Sequence, residues 1–336
     1  RMKGSGALAS CELAVGRADC HMDAKSTPWD YAAAALIVRE AGGKATDLQG
    51  KQWKPDSKEG YIASNGKFHE KLLEEIRRHK MMELFNVKIF NTSMELGKAA
   101  AKLILAEYKE RGRLVLGVPW GTTPVPIFDA LAKIVADGKL GLSNFYIVVM
   151  DEYVQQKGTG YSFIDERLPS SGHYHMEKDL FRKLPSKQSA QLKANTHYPN
   201  PSNPEGYESF LDKLGGVDIF IIATGAHDGH VAQNGPGTPI ESTTRIIKLP
   251  RTVIEYNFEK MQEEFGNDME NVPQFGVSVG LSTMLKSKKL LFVAFGSSKK
   301  EITQRLLAAK RFDINWPVTF LWEALDKTVF YIDQEA

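Results

Sequence analysis

Small and apolar residues recur at helical spacing through "GSGALASCELAVGRAD" and again through "PWDYAAAALIVREAGG". In the second stretch Pro28 suits a first helical turn, the alanines favour helix, and Gly42-Gly43 stop it. "KATDLQGKQW" predicts a strand and turn, and "YIASN" a short strand. "KFHEKLLEEIRRHK" is amphipathic, with Leu72, Leu73 and Ile76 on one side. This helix closes a first unit over residues 1–80, with a boundary between Lys80 and Leu84 and a second unit over 83–336.

From there the pattern changes to apolar runs alternating with amphipathic ones. "ELFNVKIF" predicts a strand and "SMELGKAAAKLILAEYKE" a helix. Strand "RLVLGV", loop "PWGTTP", helix "VPIFDALAKIVADG" and strand "FYIVVM" follow. Strands "VDIFIIAT" and "KKLLFVAFG" come later, the last leading into "SSKKEITQRLLAAK". This alternation predicts an α/β fold, a modified doubly wound, Rossmann-like and mostly parallel sheet, preceded by the small first unit. The stretch "THYPNPSNPEG" reads as a proline-rich surface loop.

Composition adds little to this picture. The 336 residues are 42% apolar and 25% charged, as in an ordinary globular protein. A net charge of +2 gives no reason to expect a nucleic-acid or membrane partner. Cys11 and Cys20 make neither a disulfide framework nor a CxxC pair, which points to a reducing cytoplasm. No apolar run approaches a membrane span, and no signal peptide is expected ahead of the first helix.

The polar candidates fall at the ends of the predicted strands, where ligands gather in parallel α/β sheets. "GVPWGTTP" joins a strand to a helix. Gly121 lets backbone N–H groups approach an anion, and Thr122 and Thr123 add hydroxyl donors. The same loop also fits a tight turn with a threonine cap. Asp151 and Glu152 end a very apolar strand, a setting that raises a carboxyl pKa and suits proton abstraction, or else serves a helix cap or an ion pair. The loop pair Asp165-Glu166 ranks below them. In "GAHDGHVAQNGPG", His230 is suited to pass a proton either way, and Asp228, two residues before it, is suited to touch a substrate. His227 and His230 would form a metal pair only with a third ligand, which is not evident. In "FGSSKK", Lys299 in a first helical turn would be favoured by a bound anion.

The ordered set "LGVPWGTTP", "VVMDEYV", "GAHDGHVAQNGPGTPIESTTR", "VPQFGVSVGLSTML" and "FGSSKK" resembles the glucosamine-6-phosphate deaminase/isomerase family. That family is a branch of the sugar-phosphate isomerase and 6-phosphogluconolactonase superfamily, and the likeness spans about residues 83–336. It implies an amino-sugar enzyme acting on a hexose 6-phosphate with no cofactor and no metal. Gly121, Thr122, Thr123 and Lys299 would hold the phosphate, with Arg245 at the family's basic position. His230 would protonate the ring oxygen, Asp151 would move the C2 proton, and Asp228 would bind or polarise the substrate. A homo-oligomer is compatible with the resemblance. The chain departs from the family in reading "QNGPG" where "FNEPG" is usual, so Gly235 stands at the glutamate that orients the histidine. "EYNFEKM" replaces "NSRFF", with Lys260 a poorly aligned substitute for the phosphate arginine. "LWEAL" lacks a histidine, and the segment after "DEY" is longer. Two rival readings stay open: a 6-phosphogluconolactonase-like hydrolase, and a non-catalytic sugar-phosphate-binding protein.

"GSGALASCELAVGRAD", "PWDYAAAALIVREAGG" and "IASN" are similar to the carboxyl-terminal part of inositol monophosphatase-like enzymes. The resemblance makes Asp30 a vestigial metal ligand and Asp23 a substrate contact. One carboxylate does not hold a catalytic magnesium cluster, so the unit is expected to have no phosphatase activity of its own.

Overall fold

The computed structural model describes residues 4–336 apart from 26, 85, 226 and 227, and describes only the backbone of residues 78–84, 252, 256 and 260. The chain divides into two compact units, Arg1–Leu84 and Phe85–Ala336.

The first unit runs α1 (Gly6–Ala14), β1 (Cys20–Asp23), α2 (Pro28–Glu40), β2 (Lys44–Thr46), β3 (Tyr61–Ser64) and α3 (His69–Leu84). Its three strands form an antiparallel sheet in the order β1-β3-β2. Pro28 opens α2 at its first turn, where a missing N–H costs nothing. The core is aromatic: Tyr31 from α2 stacks on Tyr61 from β3 at 4.1 Å, and Trp53 meets Tyr61 edge-on.

The second unit continues with β4 (Val87–Phe90), α4 (Ser93–Arg111), β5 (Leu114–Val118), α5 (Val125–Ala136), β6 (Phe145–Val149), β7 (Asp151–Lys157) and β8 (Gly160–Phe163). Next come α6 (Gly172–Asp179), α7 (Ser186–Ala194), β9 (Thr196–His197), α8 (Gly206–Lys213), β10 (Ile219–Ile222), β11 (Arg245–Lys248) and α9 (Arg251–Phe265). The chain closes through β12 (Phe275–Ser278), α10 (Leu281–Leu285), β13 (Lys289–Ala294), α11 (Lys300–Ala308) and β14 (Thr328–Asp333).

Seven of these strands make one parallel sheet in the order β4-β14-β13-β10-β5-β6-β9. The expected α/β doubly wound architecture is therefore present. Every residue of β5 and β10 is buried, which explains their unbroken apolar runs. The chain winds outward in opposite directions from the neighbours β10 and β5, so a crevice opens at their carboxyl ends. Gly117 permits that pairing, since a Cβ there would stand 2.3 Å from the Phe220 ring.

A second sheet, antiparallel and ordered β11-β12-β7-β8, grows from the end of β6. Met150 links the two: its N–H donates to Val118 and its carbonyl accepts from Val279. Asp151 therefore begins β7, opposite Ser278, rather than ending the apolar strand as the pattern implied. "THYPNPSNPEG" is also not wholly a loop, because Thr196–His197 pairs with Ile147–Val148 as the sheet's edge strand.

Candidate active site

A cleft of about 530 Å³ opens at the switch point. One wall is the loop after β5. Trp120, Gly121, Thr122 and Thr123 line it, and α5 begins directly behind them. Gly121 has φ +93°, a left-handed conformation that favours glycine. The N-terminal end of α5 thus places a partial positive charge beside two hydroxyls.

Asp151 lines the same cleft at 6% exposure. Burial, and next the charge of Glu152, push its carboxyl up to about 8. The Trp120 indole donates to the Asp151 carbonyl at 2.9 Å, tying the loop after β5 to the base of β7. Glu152 points elsewhere. It is fully buried and accepts from Tyr153 N, Ser171 Oγ, Gly172 N, His173 N and His173 Nδ1. Its carboxylate is the cap that holds the start of α6.

The loop after β10 brings in His230. Thr224 bridges to Val231, and Gly225 N donates to the His230 carbonyl, closing a tight hairpin. Gly229 turns it with φ +67° over the Trp316 ring. The imidazole lies flat against Gly225, where a Cβ would sit 1.9 Å from His230 Cε1. Fully buried Asn234 pins the loop by donating to Val231 and Val279 carbonyls.

Asp228 departs from its expected place. It does not line the cleft. It accepts from His230 Nδ1 at 2.6 Å and from the His230 N–H at 3.2 Å. The tight turn folds its short side chain back on the ring two residues later. Burial raises the Asp228 carboxyl, but the hydrogen bond and charge of His230 outweigh it and hold the group below its ordinary value. An ionised Asp228 leaves His230 Nε2 as the nitrogen available for chemistry. Gly235 lines the cleft with room beside it, the nearest atom to a Cβ being Pro250 Cγ at 3.5 Å. None of Glu152, Asp165 or Glu166 takes that space: Asp165 pairs with Arg167, and Glu166 lies 3.7 Å from His173 Nε2.

Two basic candidates also stand back from the cleft. Lys299 does not line it. Its ammonium donates to the carbonyl of Thr224, a lining residue, because the flexible stem swings toward the end of β10. Arg245 starts β11 and donates to the Thr243 carbonyl at 3.1 Å. His227 lies outside the described residues, as does the side chain of Lys260. Among the described residues no cluster of histidine, cysteine and carboxylate side chains could hold a metal ion. None of their helices is long and apolar enough to cross a membrane. In the first unit, Asp30 accepts from Thr27 Oγ1 and Asp23 accepts from Tyr31 at 2.7 Å.

Sequence reasoning missed a residue beside the β5 loop. His175 from α6 lines the cleft, stacked on Trp120 at 5.4 Å, with Nδ1 2.9 Å from Asp179 Oδ2. The i,i+4 spacing of His175 and Asp179 was the available signal. Asn257 and Glu264 from α9 complete the rim. Asn257 donates to the Tyr153 hydroxyl, and Glu264 holds Ser170.

Residues 91–330 match the family described as Glucosamine-6-phosphate isomerases/6-phosphogluconolactonase, and residues 1–81 match the Inositol monophosphatase family. The chain is 33% identical over 245 residues to the glucosamine-6-phosphate deaminase of Malacoplasma penetrans, covering 71% of this chain and 94% of that one. It is 30% identical to glucosamine-6-phosphate deaminase 1 of Giardia intestinalis, covering 68% and 80%. A solved monomeric glucosamine-6-phosphate deaminase superposes with TM-score 0.63 at 26% identity, over 74% of this chain and 98% of that one. A 6-phosphogluconolactonase from Leishmania guyanensis, at TM-score 0.54 and 17% identity, shares the fold.

Proposed function

Since the chain belongs to the family of glucosamine-6-phosphate isomerases and 6-phosphogluconolactonases, we propose that it converts glucosamine 6-phosphate to fructose 6-phosphate and ammonia. One observation carries this reading: Asp151 and the Asp228-backed His230 open on the same cleft as the Gly121–Thr123 loop.

The loop and the start of α5 hold the phosphate, with Thr122 and Thr123 donating to its oxygens. Lys299, one residue removed through the Thr224 carbonyl, and Arg245 add positive charge at longer range. His230 Nε2 takes the proton of the C1 hydroxyl and passes it to the ring oxygen as the sugar opens. The Asp151 carboxylate then takes the proton from C2 and returns it at C1. The resulting C2 imine adds water and releases ammonia. A base with its pKa near 8 is matched to that transfer at neutral pH. Gly235 stands at the glutamate position of the family, and Asp228 supplies the orienting carboxylate instead.

The lactonase reading has a shared fold behind it at low identity, and the binding-protein reading has the departures at Gly235 and "EYNFEKM". Incubating the protein separately with glucosamine 6-phosphate and 6-phosphogluconolactone decides among them. Ammonia release from the first substrate supports the proposal. Acid release from the second alone supports hydrolysis, and binding without turnover supports a sensor.

A further inference from the structure

The sugar phosphate assigned above brings a dianion into a cleft whose wall already holds two acidic groups, Asp151 and Glu264. The helix end and two hydroxyls supply partial charges only. Among the described lining residues, the side chains able to carry a full positive charge are His230 and His175. His230 faces its own task at the hairpin. His175 is placed differently: its ring stacks on Trp120, the residue immediately before Gly121-Thr122-Thr123.

Three contacts hold it there. Asp179 accepts from Nδ1, which leaves Nε2 free of that bond. Trp120 is fixed by its bond to the Asp151 carbonyl. The start of α6 is held by the buried carboxylate of Glu152, so the helix bears His175 on a rigid mount.

We infer that His175 is a phosphate-contacting residue, its Asp179-backed imidazole giving the Gly121–Thr123 loop a ring N–H donor that binds the substrate's phosphoryl group. It acts on binding rather than on the proton transfers, which fall to Asp151 and His230. The inference rests on the sugar-phosphate reading of this cleft and adds to it a residue that sets phosphate affinity.

The test is calorimetric titration of the full chain with inorganic phosphate, alongside steady-state ammonia release from glucosamine 6-phosphate. The proteins are the parent, His175→Gln, His175→Lys and Asp179→Asn, each checked for folding by circular dichroism. We expect His175→Gln to weaken phosphate binding about tenfold or more and to raise KM with kcat nearly unchanged. His175→Lys should recover most of the affinity, and Asp179→Asn should give an intermediate loss. Unchanged phosphate affinity in a folded His175→Gln overturns the inference, and so does a fall in kcat at constant KM. Phosphate binding that depends on His175 in a parent without turnover leaves the inference standing and removes the deaminase reading. Turnover in a parent whose His175 variants behave like it does the reverse. If His175→Gln does not fold, the Asp179→Asn titration decides on the same criteria, and His175→Lys is the control expected to keep its affinity.

Discussion

Asp228 Oδ1 lies 2.6 Å from His230 Nδ1 and also receives the His230 backbone N–H at 3.2 Å, so one carboxylate fixes both the ring and the turn that bears it. The pairing places an orienting carboxylate within the hairpin itself. Asp228→Asn keeps the shape and removes the carboxylate that fixes the ring's tautomer and orientation. We expect kcat for ammonia release to fall about 10²-fold or more with little change in KM. A Cβ at Gly235 meets nothing nearer than Pro250 Cγ at 3.5 Å, and the double variant with Gly235→Glu should recover part of the lost turnover. Full activity in Asp228→Asn would show that the contact is only structural.

The elevated Asp151 pKa makes two pH predictions. As a proton acceptor it must be ionised, so kcat/KM should rise with pH along a limb centred near 8. Asp151→Asn should lower kcat about 10²–10⁴-fold while glucosamine 6-phosphate still binds. Stability runs the other way. A carboxyl whose pKa rises on folding favours the native state fully below its unfolded value of about 4. That advantage is lost as pH climbs through the folded value of about 8. Asp151→Asn has no such loss, so its urea midpoint should gain on the parent's between about pH 5 and pH 9. A gap independent of pH would mean that Asp151 titrates normally.

Gly225 tests whether the imidazole needs its flat seat. A methyl group there would meet His230 Cε1 at 1.9 Å and Nδ1 at 2.3 Å. The ring must then leave its position. A displacement of about 1 Å at a reacting group costs on the order of 10²-fold in rate. We expect Gly225→Ala to lose turnover to that extent while phosphate titration is unchanged, because the anion loop lies on another strand end. A variant as active as the parent would place the working histidine orientation elsewhere.

The large sheet was legible because β5 and β10 are apolar at every position, a pattern that burial on both faces produces. The convergence of Gly121–Thr123, Asp151 and His230 was legible for a related reason, since parallel strands deliver their carboxyl-terminal loops to one edge. The Asp228 contact was not legible, because it depends on Gly229 adopting φ +67°, which spacing alone does not specify. Lys299 follows β13, and its long stem carries the charge to the Thr224 carbonyl, which residue spacing does not specify. His175 went unnoticed because a helical pattern does not say which cleft a helix faces. Thr196–His197 reads as a polar, proline-flanked segment and becomes a strand through its neighbour β6.

Glu152 joins the architecture to the chemistry, and its replacement should separate the two. The buried carboxylate accepts bonds on both oxygens, from Tyr153 N and Gly172 N on one and from Ser171 Oγ, His173 N and His173 Nδ1 on the other. Whichever oxygen an amide group replaces, at least two donors lose their acceptor. We expect Glu152→Gln to cost about 1–3 kcal/mol in urea unfolding. The same change removes the negative charge that ranks second to burial in raising Asp151. The ascending limb of kcat/KM should therefore move to lower pH without returning to the ordinary carboxyl range, because the burial of Asp151 persists. Loss of stability with the limb unmoved would assign Glu152 to the helix cap alone. A shifted limb at unchanged stability would mean that α6 is held by other contacts.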